Sequence, residues 1–271
     1  MKTKVSIISN IDDLPAELVA GDPSKSKNWS VVVAAAGKGS RLNWHLPKIL
    51  FPIDGQSILE RLVKVFKPHA QHFVFVLSPT GAPLVKVETE KLLPDRHSIA
   101  IQCTPNGMAD AVLTGLGKVK TPNVIVVWGD QAALRHRTIA AGVYKLETGN
   151  FDAVIPTVIR SNPYIHFERD SNHSIKYVRQ AREGDIMPKV GESDAGVFFF
   201  KTQMLKSAIL APAHQSDMRG ARTNEINLLP LIPLLARNYK IASLNGVTET
   251  ESLGINSLAD AERMEQMLRV N

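Results

Sequence analysis

Three short runs of this chain hold residue types suited to phosphate chemistry. The first is Ala34-Ala-Ala-Gly-Lys-Gly-Ser-Arg-Leu42, followed by Leu46-Pro47-Lys48. Gly37 and Gly39 allow backbone conformations that turn amide N–H groups toward a common anion. Arg41 offers a planar fork and Lys48 a point charge, a pair suited to neutralising linked phosphates. Pro47 restricts the backbone just ahead of Lys48. The second run is Gln102-Cys-Thr-Pro-Asn-Gly107-Met-Ala-Asp-Ala111. A glutamine amide can donate to and accept from a nucleobase edge, and a glycine lets the backbone come close to that base. The third run, Asn123-Val-Ile-Val-Val-Trp-Gly-Asp130, carries one carboxylate at the end of an apolar stretch. Mg²⁺ takes few protein ligands, keeps waters and bridges substrate phosphates, and a single Asp so placed suits that need. The chemistry implied is the handling of a nucleoside triphosphate by positioning and charge neutralisation. Two other glycine-loop readings fail on spacing. A dinucleotide turn lacks its third glycine, because position 42 is Leu, and no G-K-[ST] closes a P-loop.

Such residues need a scaffold that brings them to one place. Apolar runs at Ser30–Ala36, Phe73–Leu77, Ser98–Cys103 and Asn123–Trp128 read as buried strands. Helical spacing marks Ser57–Phe66, Leu84–Leu93 and Gly107–Val119. Fully apolar strands separated by helices predict a parallel sheet covered on both faces. Right-handed crossovers then put every strand's C-terminal end on one edge, where ligands bind. The loops after Ala36, Cys103 and Trp128 fall on that edge. Beyond Phe151 strand-like pieces dominate (Phe151–Ile159, Ser174–Gln180, Gly196–Lys201), and helices return at Asn224–Ala236 and Ser257–Val270. The expected fold is α/β and Rossmann-like (GT-A-like): a mixed, mostly parallel sheet flanked by helices. Residues 1–28 read as an extension with a short strand at Val5–Ser9 and a polar linker at Ala20–Asn28. Residues 29–271 read as the main domain, with 29–150 as a nucleotide-binding half and 151–271 as an acceptor-binding half.

Composition narrows the function classes. The chain has 271 residues, 44% of them hydrophobic and 21% charged, an ordinary globular balance. The formal charge of +6 comes from scattered Lys and Arg with 6% aromatics, which does not resemble the clustered basic, aromatic surface of a nucleic-acid binder. No apolar run reaches bilayer length, and the N-terminus lacks a secretory pattern. The single cysteine, Cys103, excludes an internal disulfide and a cysteine metal cluster. A soluble cytoplasmic protein without nucleic-acid or membrane partners is expected. No hexapeptide repeat is present.

The run Ala35-Ala-Gly-Lys-Gly-Ser-Arg-Leu42 with Leu46-Pro-Lys48 resembles the signature of the sugar-phosphate nucleotidyltransferases, and most nearly that of the uridylyltransferase domain of N-acetylglucosamine-1-phosphate uridylyltransferases. The resemblance runs from about Ser30 onward and is dense at a few points. It implies that Ala35, Ala36, Gly37, Gly39 and Ser40 wrap a triphosphate, that Arg41 and Lys48 act on it catalytically, and that Gln102 and Gly107 bind the base, with uracil or thymine favoured. It implies Mg²⁺ on Asp130. Glu251-Ser-Leu-Gly-Ile-Asn256 resembles the family's Gly-Val-Asn-Asn segment and makes Asn256 the second metal ligand. On the acceptor side it points to Asp194 and Gly196, in Gly191-Glu-Ser-Asp-Ala-Gly196, and to Glu225, in Thr223-Asn-Glu225.

Several positions depart from the family pattern. Met108 stands where Thr is usual, Ala132 replaces the proline of Gly-Asp-x-Pro, Asp194 replaces Asn, and the tyrosines near Glu225 are missing. The expected reaction joins a nucleoside triphosphate to a sugar 1-phosphate or a similar acceptor and releases pyrophosphate. The departures keep two alternatives open. One is a non-sugar acceptor such as a molybdopterin or a polyol phosphate. The other is a nucleotide-sugar-binding regulatory module without turnover.

Overall fold

The computed structural model describes residues 7–15, 26–37 and 39–270. In chain order its strands are β1 (Ile7–Asn10), β2 (Trp29–Ala34), β3 (Pro52–Ile53), β4 (Gln56–Ser57), β5 (His72–Leu77), β6 (His97–Ile101), β7 (Asn123–Trp128), β8 (Ala153–Ser161), β9 (Ile165–Arg169), β10 (Ile175–Gln180), β11 (Val190–Asp194), β12 (Val197–Lys201) and β13 (Ile241–Asn245). The helices are α1 (Ile58–Phe66), α2 (Ala82–Leu92), α3 (Met108–Leu116), α4 (His136–Thr148), α5 (Thr202–Leu210), α6 (Pro212–Gln215), α7 (Leu231–Asn238) and α8 (Leu258–Val270).

The main sheet runs β1-β13-β8-β12-β7-β2-β5-β6, with β11 on β8. All neighbours on this path pair in parallel except β12, which is antiparallel to both β7 and β8. The sheet is therefore mixed and mostly parallel, as the sequence implied. Its centre is made by alternation. Val31 and Val33 of β2 pack in one apolar cluster, and Val32 and Ala34 in the cluster on the other face. The Phe198-Phe-Phe200 run of β12 divides the same way, Phe199 to one side and its neighbours to the other. Each such ring removed to Ala would cost about 3–5 kcal/mol.

Local signals explain the helix starts. Ser57 and Glu60 form a reciprocal cap on α1, the Glu60 N–H donating to Ser57 Oγ at 3.2 Å and the Ser57 N–H to Glu60 Oε2 at 2.7 Å. Helix α8 begins in the same way. The Ser257 N–H and hydroxyl donate to Asp260 Oδ2 at 2.8 and 2.9 Å.

Several elements differ from the sequence expectation. The early strand lies at Ile7–Asn10 and joins the sheet edge, parallel to β13, so residues 7–10 belong to the main fold. Part of the expected linker, residues 20–25, and the first residues of the expected strand fall outside the described residues. Helix α4 was not anticipated: its small and β-branched residues hide the apolar stripe that packs on the sheet. Helix α7 begins at Leu231, not at Asn224. Residues 224–227 are committed to another partner: the Ile226 N–H donates to Asn106 O at 2.7 Å and the Ala109 N–H to Ile226 O at 2.8 Å. Pro230 then marks the first point at which a helix can start.

Because β2, β5, β6 and β7 are parallel, the loops after Ala34, Ile101 and Trp128 share one edge. Strand β12 reverses direction twice over, so β8 and β13 run with β7, and the chain after β13 reaches the same edge.

Candidate active site at the C-terminal edge of the sheet

The glycine loop leaves β2 with the Ala35 N–H donating to Val76 O at 2.9 Å. Ala36 and Gly37 follow, and the space around Gly37 is open. Gly39 has φ of +61°, and a side chain there would start 3.0 Å from Lys48 Cβ. Only glycine lets the loop turn left-handed and lie against the Lys48 stem. The backbone of Ser40–Leu42 makes a short 3-10 turn that buries Leu42 and leaves Arg41 exposed.

Lys48 is the hub of the site. Its Nζ donates to Asp130 Oδ2 at 2.8 Å and to Asn256 Oδ1 at 3.0 Å. Arg41 Nη2 reaches the same Asn256 oxygen at 3.4 Å. Four residues from three distant parts of the sequence thus meet at one point. The Lys48 and Asp130 side chains are 16% and 19% exposed, half screened from solvent yet open to a ligand. The two loops carrying the oxygens are fastened together. The Ile255 N–H donates to Asp130 O at 3.0 Å, and Gln131 pairs with Gly254.

Two acidic side chains that the sequence reading did not assign hold Asn256 in place. Asp260 accepts the Asn256 N–H at 3.0 Å. Glu251, 1% exposed, accepts the Arg135 N–H at 3.0 Å, the Thr138 hydroxyl, and the N–H and hydroxyl of Thr248 at 3.2 Å each. It ties the start of α4 to the segment leading to Asn256. The Ser257-Leu-Ala-Asp260 pattern announces the first of these. Nothing local announces the second.

The donor set suits a hard divalent ion. Asp130 Oδ2 and Asn256 Oδ1 already converge on one cation, the Lys48 ammonium, and oxygen ligands are what Mg²⁺ prefers. Among the described residues there is no cluster of three or more His, Cys, Asp or Glu. The protein would contribute two oxygens, and substrate phosphates and water the rest.

Gln102 is buried at the end of β6, its N–H bonded to Leu77 O at 2.9 Å. Its Nε2 donates to Gly107 O at 3.2 Å and to Asp110 Oδ2 at 2.7 Å. Both partners only accept, which fixes the orientation of the amide. The side chain therefore has only its carbonyl oxygen left to offer, in place of the donor-and-acceptor face expected from sequence. Gly107 has φ of +115°, and a Cβ there would lie 2.6 Å from the Ile226 backbone. The glycine is required by that neighbour as well as by any base.

On the acceptor side, Asp194 is 8% exposed and accepts the Gly196 N–H at 2.8 Å. Burial pushes its carboxyl up to about 6. The Gly196 N–H and the charge of Arg160 oppose that rise, and the charge of Asp130 adds to it. Asp130 and Asp194 are thus in electrostatic reach of each other, which joins the two halves of the cleft. The Nε of Arg160 is buried without a hydrogen-bond partner. Glu225 stands beside Gly107 and is paired with Arg182, so its charge is already matched. Glu183 anchors the same loop. Despite the cost of burial, bonds from the Thr223 hydroxyl, the Arg222 and Thr223 N–H groups and Asn227 Nδ2 hold it down to about 2.

Comparison with known proteins agrees with this geometry. Residues 31–192 match the family described as MobA-like NTP transferase domain. The bifunctional protein GlmU of Carboxydothermus hydrogenoformans is 29% identical over 239 residues, 86% of this chain and 51% of that protein. Its counterpart in Lactobacillus helveticus is 30% identical over 252 residues, 89% of this chain and 52% of that protein. The chain spans about half the length of these relatives. Among solved structures, 4-diphosphocytidyl-2C-methyl-D-erythritolsynthase from Anaerococcus prevotii superposes with a TM-score of 0.64 at 14% identity, covering 90% of this chain and 97% of that one. HddC from Yersinia pseudotuberculosis gives 0.63 at 15%, covering 89% and 99%. These two likenesses establish the fold.

Proposed function

The chain belongs to the family of MobA-like NTP transferase domains and is a nucleotidyltransferase, and from that premise we propose that it transfers a nucleotidyl group from UTP to a sugar 1-phosphate or a closely related phosphate, with release of pyrophosphate. The observation that carries this reading is the meeting of Arg41, Lys48, Asp130 and Asn256 at the mouth of the glycine loop.

In the proposed mechanism the backbone amides of Ala36, Gly37, Gly39 and Ser40 receive the triphosphate, while the Ala35 N–H, expected from sequence to join them, is spent on Val76 O. An acceptor phosphate oxygen attacks the α-phosphorus in line, the bond from that phosphorus to the bridging oxygen breaks, and pyrophosphate departs with the electron pair. A phosphate monoester is nucleophilic at neutral pH, so no general base is needed. Lys48 and Arg41 stabilise the charge that develops on the phosphate oxygens. Asp130 and Asn256 would hold Mg²⁺, which would supply positive charge to offset that of the phosphates. Asp194 and Gly196 would position the acceptor's hydroxyls. Arg160, with an unmatched Nε near Asp194, suits the acceptor's phosphate. Glu225 acts through the base loop.

Base choice follows from the Gln102 amide, whose donors are taken and whose carbonyl oxygen remains to accept. An acceptor there matches the N3–H of uracil or thymine and opposes the lone pair of cytosine N3. UTP and TTP should therefore raise Tm with Mg²⁺ where CTP does not. A pyrophosphate-release assay with a panel of sugar 1-phosphates, polyol phosphates and pterin phosphates identifies the acceptor. Turnover should fall on the order of 10²–10³-fold in Arg41→Ala and in Lys48→Ala. Near-normal turnover in both variants would refute the assignment, and nucleotide binding with no turnover on any acceptor would favour a regulatory module.

A further inference from the structure

A second concavity, of about 430 Å³, lies under the start of α4. None of Arg41, Lys48, Gln102, Asp130, Asp194 or Asn256 lines it. Its wall holds Arg61, Lys64, Arg135 and His136, and no carboxylate. A chain with 32 basic and 26 acidic residues does not gather three permanent cations in one hollow by charge balance alone. The cations are also not neutralised by one another's partners. Arg61 is fixed by two bonds from Nε and Nη2 to Ile53 O, at 3.2 and 2.6 Å, and Nη1 takes no part in them. Lys64 has no ion pair among the described residues. Arg135 approaches Glu251 only at 3.9 Å, and that carboxylate is already engaged with Thr138 and Thr248.

His136 adds an independent sign of the local field. Burial, and then the charge of Lys64, hold its imidazole below its ordinary pKa. The His69 ring lies 6.1 Å behind it. Positive charge is crowded along this wall, and the nearby carboxylate of Glu251 is buried and already bound by Thr138 and Thr248. Helix α4 opens into the same hollow, but its Arg135 N–H is taken by Glu251, so the side chains alone define the site.

We propose that this cavity is a second anion site that takes a phosphate group, either inorganic phosphate or a small phosphomonoester, apart from the nucleotide cleft. Guanidinium and ammonium groups in its wall match a compact, doubly charged oxyanion. The wall also has a mechanical link to the cleft. Gln131 follows Asp130 directly, and Thr250 precedes Glu251, the residue that secures the Asn256 segment. An occupant would restrain both carriers of the proposed metal ligands. That effect rests on the function proposed above, whereas binding itself does not.

The test titrates the whole protein with inorganic phosphate and, separately, with glycerol 3-phosphate, by calorimetry and by the His136 ring resonances. Either probe should bind and raise the His136 pKa, and the tighter of the two identifies the source. The double variant Lys64→Gln/Arg135→Gln alters two exposed side chains and should retain the native melting curve. It should bind phosphate at least tenfold more weakly while its UTP affinity stays that of the wild type. Lys48→Met should leave phosphate binding at this site unchanged. The proposal is overturned if phosphate binds the double variant as tightly as wild type, if it leaves the His136 resonances unmoved, or if its binding disappears in Lys48→Met. Failure of UTP to bind any of these proteins would count against the nucleotidyltransfer assignment and leave the anion site standing.

Discussion

Lys48 occupies the position at which two oxygens converge, so it should compete with a divalent ion for them. Replacing Lys48 with Met keeps the length of the stem and deletes the charge. At 2.8 Å from Asp130 Oδ2, with an effective dielectric near 20, the gross attraction is about 6 kcal/mol. Desolvation and the ordering of a long side chain cancel most of it, and partly exposed pairs retain about 1–3 kcal/mol. Without nucleotide, Lys48→Met should therefore bind Mn²⁺ roughly 10- to 100-fold more tightly than wild type. The same variant should bind UTP more weakly, because the ammonium no longer meets the phosphates. On the proposed function, UTP should draw Lys48 off the two oxygens in wild type, so nucleotide and metal should each tighten the other, and Lys48→Met should lose that cooperativity. Electron paramagnetic resonance of free Mn²⁺ measures this directly, with Asp130→Asn as the control that removes the site. Mn²⁺ affinity in Lys48→Met equal to or below that of wild type would refute the reasoning.

Other consequences follow from the same geometry. Asp194 keeps its proton up to about pH 6, against an ordinary 3.8, so the native state binds more protons than the unfolded state between those values. Its ionisation costs nothing below about pH 4, costs more as pH rises to 6, and above that removes about 3 kcal/mol. Asp194→Asn should raise Tm at pH 8 and leave it unchanged near pH 4; equal shifts at both would show that burial is not the cause. Glu183 has the opposite sign, since its carboxyl lies at about 2 rather than 4.5. Its contribution is complete above the ordinary value and disappears as pH falls through the folded one, so Glu183→Gln should lower Tm at pH 7 and have little effect near pH 2. Gly107→Ala would place a methyl 2.6 Å from the Ile226 backbone at φ of +115°. It should cost at least about 1–3 kcal/mol of stability, readable in urea unfolding, and should loosen base selection.

The sequence revealed the parts of this molecule whose cause is local. Continuous apolar runs became the central strands, the Ser57/Glu60 cap started α1, and the glycine loop ended β2. The candidate site was legible for the same reason, because each of its residues ends a strand or opens a helix. What stayed hidden depends on distant neighbours. Nothing near Gln102 announced that Asp110 and Gly107 would use its donors. Nothing near Glu225 announced Arg182. The delayed start of α7 reflects Ile226 being taken up by Asn106 and Ala109. Helix α4 went unseen because its core-facing side sets only Ile139 and Leu146 as large apolar residues among Thr, Ala, Gly and Val.

Asn256 meets Lys48 across 208 positions of chain, and the family match ends at residue 192. A fragment limited to that match would lack β12, the strand between β7 and β8, as well as Asn256. On a ribosome the same logic sets a delay: the site is incomplete until the polypeptide has passed Asn256 and Asp260 has locked it. Completion of the site therefore depends on a segment 208 positions beyond Lys48.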